Sequence, residues 1–170
     1  KIMRILLVNP ITDEEKINVC LPNLGLGFLA TSIRKEGFEV EIVDGCKKKM
    51  TSKLIKERLY NVDYDIVGFQ VFTMVLNKTR EYLNFVKSLN PKIITVVGGP
   101  HPSVDKENIL KYLSNCDFAI VGEGEESLPK LLNLLFKLLK INLKISHCLN
   151  SSLANCKIFN RNFIQYRSRV

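Results

Sequence analysis

The sequence predicts an α/β fold: a five-stranded parallel sheet, doubly wound, with helices on both faces. Short apolar, β-branched runs alternate five times with segments of helical periodicity before residue 141. One of those runs, the fourth, is apolar at nearly every position, as a strand covered on both sheet faces must be, instead of alternating as half-solvated strands do. The fourth run, Ile93-Ile94-Thr95-Val96-Val97-Gly98-Gly99-Pro100-His101, stops on paired glycines and a proline. It leaves bare backbone at the end of a strand, which is where open α/β sheets keep their ligands.

Each element has its own signal. Arg4–Val8 is the first strand, closed by Asn9-Pro10. A polar loop over 11–23 leads to a helix from Leu24 to Glu36, whose apolar Leu26, Leu29, Ala30 and Ile33 share a face and which Gly37 stops. Phe38–Val43 is the second strand, ending in Asp44-Gly45; Thr51 or Ser52 then caps a helix through Leu54, Ile55, Arg58 and Leu59. Asp65–Val71 is the third strand, and the helix behind it, Leu76–Leu89, halts before Pro91. After the glycine pair a short helix around Asp105–Leu113 leads to the fifth strand, Phe118–Val121, and Gly122-Glu123-Gly124-Glu125 turns the chain into a last helix, Ser127–Lys140. Right-handed crossovers leave few arrangements, of which we take the flavodoxin-like (Rossmann-like) order 2-1-3-4-5, with its switch point between the first and third strands. Ligand contacts are then expected from the loops at 9–25, 70–75, 98–103 and 122–125.

Beyond Lys140 the pattern decays. Residues 141–145 alternate like one short strand, and the rest is Ser, Asn, Lys and Arg with scattered apolar residues. The expected organisation is a folded domain over 1–140 and a basic tail, or the remnant of a lost catalytic domain, over 141–170. The net charge of +8 belongs to the end of the chain: residues 1–126 hold 17 basic and 17 acidic residues, whereas 127–170 hold eight basic residues and no acid. That division removes any whole-protein argument for nucleic-acid binding and confines it to the tail. No stretch of about 18 apolar residues is present, so no membrane span is expected. The first residues run into a strand without a cleavage signal, and a cytoplasmic chain is expected. The cysteines (Cys20, Cys46, Cys116, Cys148, Cys156) form no Cys-x-x-Cys pair and no zinc-like spacing with His101 or His147, which favours reduced thiols.

Several motifs are weaker than they look. Gly25-Leu26-Gly27-Phe28-Leu29-Ala30, with Asp44 beyond it, imitates a dinucleotide fingerprint, but 16 residues separate Val8 from Gly25 where the fingerprint needs an immediate turn. Glycines that let a helix approach the sheet closely are the better reading of 25 and 27. Glu123 and Glu125 pose as paired carboxylates, yet acids at the opening of a helix are explained by its dipole. His101 has no second histidine nearby, which speaks against a metal site. Lys130, Lys137, Lys140 and Lys144 with leucines between them fit a final helix packed on the sheet better than a membrane-surface helix.

In order and spacing, Ile5-Leu6-Leu7-Val8-Asn9-Pro10, Leu24-Gly25-Leu26-Gly27-Phe28-Leu29-Ala30, Gly37-Phe38-Glu39-Val40, Asp65-Ile66-Val67-Gly68, Val97-Gly98-Gly99-Pro100-His101 and Val121-Gly122-Glu123-Gly124-Glu125 form one pattern over residues 2–135. It resembles the cobalamin-binding domain that precedes the catalytic barrel in cobalamin-dependent radical S-adenosylmethionine enzymes. The resemblance implies cobalamin held at the carboxyl edge of the sheet. The candidate contacts are Asn9, Pro10, Gly25, Gln70, Phe72, Thr73, Gly98, Gly99, Pro100, His101, Gly122, Glu123 and Gly124, with no catalytic or metal-ligating residue among them. Physically, the long flat nucleotide tail of the cofactor needs a slot lined by backbone beside the third and fourth strands, and Gly98 and Gly99 supply it.

Two departures qualify the match. The Asp-x-His-x-x-Gly pattern of cobalamin mutases and methionine synthases is absent, since residues 9–23 contain no histidine, so no histidine ligand to cobalt is expected from that loop. Gln70-Val71-Phe72 also stands where related domains carry Ser-x-Leu. The larger departure is that no Cys-x-x-x-Cys-x-x-Cys occurs, so no iron–sulfur cluster is expected in this chain and no radical activity from it alone. The expected function is a cobalamin-binding module lacking that catalytic domain and serving a radical enzyme, with a separate catalytic chain as a candidate partner. The alternatives are a ligand-free interaction domain whose basic tail binds RNA or protein, and a nucleotide-binding oxidoreductase domain resting on residues 25–30 and Asp44.

Overall fold

The computed structural model describes residues 2–10, 22–45, 52–140 and 158–160. Strands β1 (Arg4–Asn9), β2 (Glu39–Asp44), β3 (Ile66–Gln70), β4 (Ile94–Gly98) and β5 (Phe118–Ile120) are parallel neighbours in the order 2-1-3-4-5, as the alternation predicts. A sixth strand, β6 (Ile158–Asn160), extends the sheet antiparallel to β5, with Ile158 opposite Ile120 and Asn160 opposite Phe118.

Side-chain alternation along the strands divides the core in two. Met3, Ile5 and Leu7, with Ile66, Ile94, Val96, Phe118 and Ile120, face α1 (Leu24–Lys35) and α6 (Gly124–Lys140), which contribute Leu26, Ala30, Ile33, Leu128, Leu131, Leu132 and Leu135. Leu6 and Val8, with Val67, Phe69, Val97 and Ala119, face the other way, onto α2 (Ser52–Asn61), α3 (Leu76–Leu89) and α5 (Asn108–Tyr112). Most strand positions are buried on both faces, whereas β2, with Glu39 exposed and Val40, Glu41 and Ile42 half-buried, keeps a polar alternation. The final helix does pack on the sheet, as its lysine spacing suggested. Where α1 ends, Gly37 takes a left-handed φ of 85° and its N–H bonds Arg34 O at 3.0 Å, closing the helix.

Three boundaries differ from expectation. The helix placed around 105–113 is two helices: α4 (Pro100–Asp105), opened directly by the Gly-Pro junction, and α5. Lys106, with φ 54°, breaks the chain between them while its N–H still bonds Pro102 O at 2.8 Å. The last helix starts at Gly124, three residues early, because Glu125 and Glu126 occupy its first turn, where acids are favoured. β6 carried no sequence signal. The strand expected at 141–145 and the cysteines other than buried Cys116 lie outside the described residues. Among the described residues no helix is long and apolar enough to cross a membrane.

Candidate functional site

At the carboxyl edge of the sheet, on the face covered by α1 and α6, the core opens into a slot of about 190 Å³. Its floor follows from strand register. Leu7, Gly68 and Val96 form one row across β1, β3 and β4; Gln70 and Gly98 form the next row on the same face, nearer the mouth. In each row glycine replaces a side chain. A Cβ at Gly98 would stand 3.8 Å from Ile120 Cβ, and one at Gly68 would meet Leu7 Cδ2 at 3.0 Å. Leu26 and Leu29 of α1 wall one side, Ile120 and Leu128 the other. Ordinary small-molecule pockets measure roughly 300–1,000 Å³, so this slot is too small to enclose a whole large ligand.

The two glycines ending β4 do different work. Gly98 keeps the floor open. Gly99 has φ 105°, and a Cβ there would fall 3.2 Å from both Gln70 Cγ and Val71 N, so both conformation and space demand glycine. This tight passage carries the β3–β4 pairing past the strand ends: Val71 N donates to Gly98 O at 2.8 Å, and His101 N to Val71 O at 3.0 Å. Ser103 then joins the neighbouring loops, its Oγ donating to Gly99 O at 2.8 Å and accepting from Gly122 N at 3.1 Å.

A chain of polar side chains crosses the mouth. Asn23 caps α1, its Oδ1 accepting from Leu26 N at 3.0 Å, so its Nδ2 is the donor to Gln70 Oε1. The Asn23 backbone N–H donates to Asp44 Oδ2 at 3.3 Å, and Asn9 Nδ2 donates to Asp44 Oδ1 at 2.9 Å. The ends of β1, β2 and β3 are thereby tied to the start of α1. With its carbonyl engaged, Gln70 turns Nε2 toward Gly25, 3.8 Å from where a Cβ there would stand.

Of the residues expected from the sequence, Gly25, Gln70, Gly98, Gly99, Gly122 and Gly124 come together around the slot. Asn9 reaches the mouth through Asp44. Thr73 and His101 meet each other above it, Oγ1 to Nδ1 at 3.0 Å. Phe72, next to Thr73 in sequence, is 39% exposed. Pro10 is buried, Pro100 is exposed at the start of α4, and Glu123 is exposed with its carbonyl accepting from Ser127 N; none of the three lines the slot. The idea that Gly25 and Gly27 permit a close helix–sheet approach fails at Gly27, where a Cβ would meet nothing within 4 Å, whereas at Gly25 a Cβ would stand 3.8 Å from Gln70 Nε2 at the end of β3. A Cβ at Gly124 would lie 3.6 Å from Leu29 of α1, an ordinary contact between the two helices.

Sequence reasoning missed Leu7, Gly68 and Val96, although counting back two residues from Gln70 and Gly98 along each strand finds the last two. Asn23 and Glu125 lie in loops expected to contribute but were not singled out, and Leu26, Leu29 and Leu128 were missed because helix-to-sheet placement is needed to find them. Around the mouth, the elements at this edge also carry Leu24, Phe28, Phe72, Met74 and Val104, all exposed. Among the described residues no group of three or more His, Cys, Asp or Glu could hold a metal ion.

The architecture is thus a doubly wound sheet with a glycine-floored slot beneath two helix N-termini. The chain belongs to the B12-binding domain family, whose model matches residues 15–132. An uncharacterized methyltransferase of Pyrococcus horikoshii is 31% identical over 140 residues, covering 81% of this chain and 30% of that protein. The anaerobic magnesium-protoporphyrin IX monomethyl ester cyclase of Rubrivivax gelatinosus is 28% identical, covering 73% of this chain and 23% of its own length. Among solved structures, the cobalamin-dependent S-adenosylmethionine radical enzyme OxsB, with aqua-cobalamin and S-adenosylmethionine bound, superposes with a TM-score of 0.67 at 28% identity, over 85% of this chain and 20% of that one. The chain thus spans a third or less of the length of these relatives.

Proposed function

We propose that this chain holds cobalamin for a radical S-adenosylmethionine reaction of the methyltransferase type, with the catalytic centre lying outside this sequence, on the same polypeptide or a separate chain. The observation that carries the reading is the slot floored by Gly68 and Gly98 between α1 and α6. It fits the nucleotide tail of the cofactor: flat, long, and able to enter only where backbone replaces side chains. In this reading Gly25, Gly99, Gly122 and Gly124 flank the tail, Gln70 donates to it through Nε2, and the exposed apolar rim of Phe28, Phe72 and Met74 meets the macrocycle. Asn9, Thr73 and His101 act from the mouth. Bound cobalamin supplies a cobalt centre able to carry a methyl group; no histidine from residues 9–23 is available to ligate it. The radical chemistry needs a cluster held by three cysteines in a pattern this sequence lacks.

Protein reconstituted with hydroxocobalamin is expected to retain the cofactor through gel filtration, near one equivalent, with a shifted visible spectrum. Colourless protein after incubation with stoichiometric cofactor would end the proposal.

A further inference from the structure

The lining of the slot bears on which cobamide it takes. Resting on the reading that the tail base enters here, we infer that the slot selects an aromatic base with an apolar outer edge, a benzimidazole, over a purine. The base is tethered to the macrocycle through the sugar on its five-membered ring, so that ring stays at the mouth and the six-membered ring goes in first. The inner end of the slot is made by Leu7, Gly68, Val96 and Leu128, with Leu7 and Val96 2% exposed and Leu128 3%. The backbone groups of that inner row are committed to the parallel ladder, Leu7 beside Gly68 and Gly68 beside Val96.

Among the described lining residues the polar side chains are Gln70 and Glu125. Both belong to the mouth: Gln70 shares the outer register row with Gly98, and Glu125 lies in the first turn of α6, about one turn before Leu128. The six-membered ring of a dimethylbenzimidazole presents C–H and methyl groups, which match the inner end. The same ring of adenine presents ring nitrogens and an amine, which would lose water there and gain no partner. Reversing the purine so that its amine met Glu125 would drive the sugar-bearing edge inward, which the tether forbids. An apolar pocket does little to reject a ligand for one extra polar atom, but several unpaired polar atoms in one ring discriminate strongly.

Titrating the full chain with cobalamin, adeninylcobamide and the base-free cobinamide, followed by visible absorbance, tests this. Adeninylcobamide is expected to bind about tenfold or more weaker than cobalamin, and cobinamide weaker than cobalamin as well. Equal affinity for cobalamin and adeninylcobamide, with cobinamide weaker than both, overturns the selectivity while leaving the tail in the slot. Cobinamide binding as tightly as cobalamin, or no binding of any of the three, overturns the proposed function and this inference with it.

Discussion

Gly98 and Gly99 are adjacent, identical letters with separate physical duties. Gly98 sits in extended strand with ordinary room for a Cβ, so Gly98→Ala is expected to leave folding stability unchanged or slightly raised. Gly99 is left-handed, with backbone of Val71 3.2 Å from any Cβ, so Gly99→Ala should cost about 1–3 kcal/mol. Urea denaturation of the two variants checks the contrast, and equal losses would contradict it. The pair was legible in the sequence as a place of bare backbone. Its division of labour was not, because a positive φ at Gly99 is imposed by the passage of the chain past β3, which no local pattern announces. The same holds for Asn23: its residue type suits a cap, but its second bond, to Gln70, joins positions 47 residues apart.

At the scale of elements, most strands and the long helices were readable because burial on both sheet faces leaves a nearly continuous apolar run, as in β4, and Leu76–Leu89 carries a plain helical period. What escaped were elements whose cause is tertiary. The break at Lys106 and the three-residue β6 depend on neighbours and not on propensity. The edge opposite the slot carries a testable electrostatic contact. Tyr64, between α2 and β3, is buried, and its hydroxyl donates to Glu41 Oε2 at 2.6 Å, while Glu41 also pairs with Arg58. Burial first, then the hydrogen bond to Glu41 and its charge, push the phenol above its ordinary value of 10.0. The fold therefore favours the neutral phenol. Its stability contribution is complete below about pH 10, the value in the unfolded chain, and is lost as pH rises toward the higher folded value. Wild-type urea midpoints should fall more steeply above pH 10 than those of Tyr64→Phe; matching slopes would contradict the assignment.

For the whole molecule, the chain order of strands dictates where a ligand can go. Reversal of winding at β1 and β3 opens a crevice at the carboxyl edge, and α1 and α6 roof it from one side. The general position of the site was therefore legible from alternation and handedness alone. Its walls were not, since they come from α1 and α6, helices separated by about a hundred residues that pack together through one core cluster. The charge division also belongs to this scale: residues 1–126 carry 17 basic and 17 acidic residues, and the basic excess follows them.

The claim on which everything turns is that bare backbone at β4 admits the cofactor's tail. Cobalamin affinity of Gly98→Leu beside wild type tests it most directly, with both proteins checked for an unchanged circular dichroism spectrum. Wild type is expected to bind stoichiometrically and the variant, whose side chain would fill the slot, at least about tenfold more weakly. Equal affinity in the two proteins would contradict it.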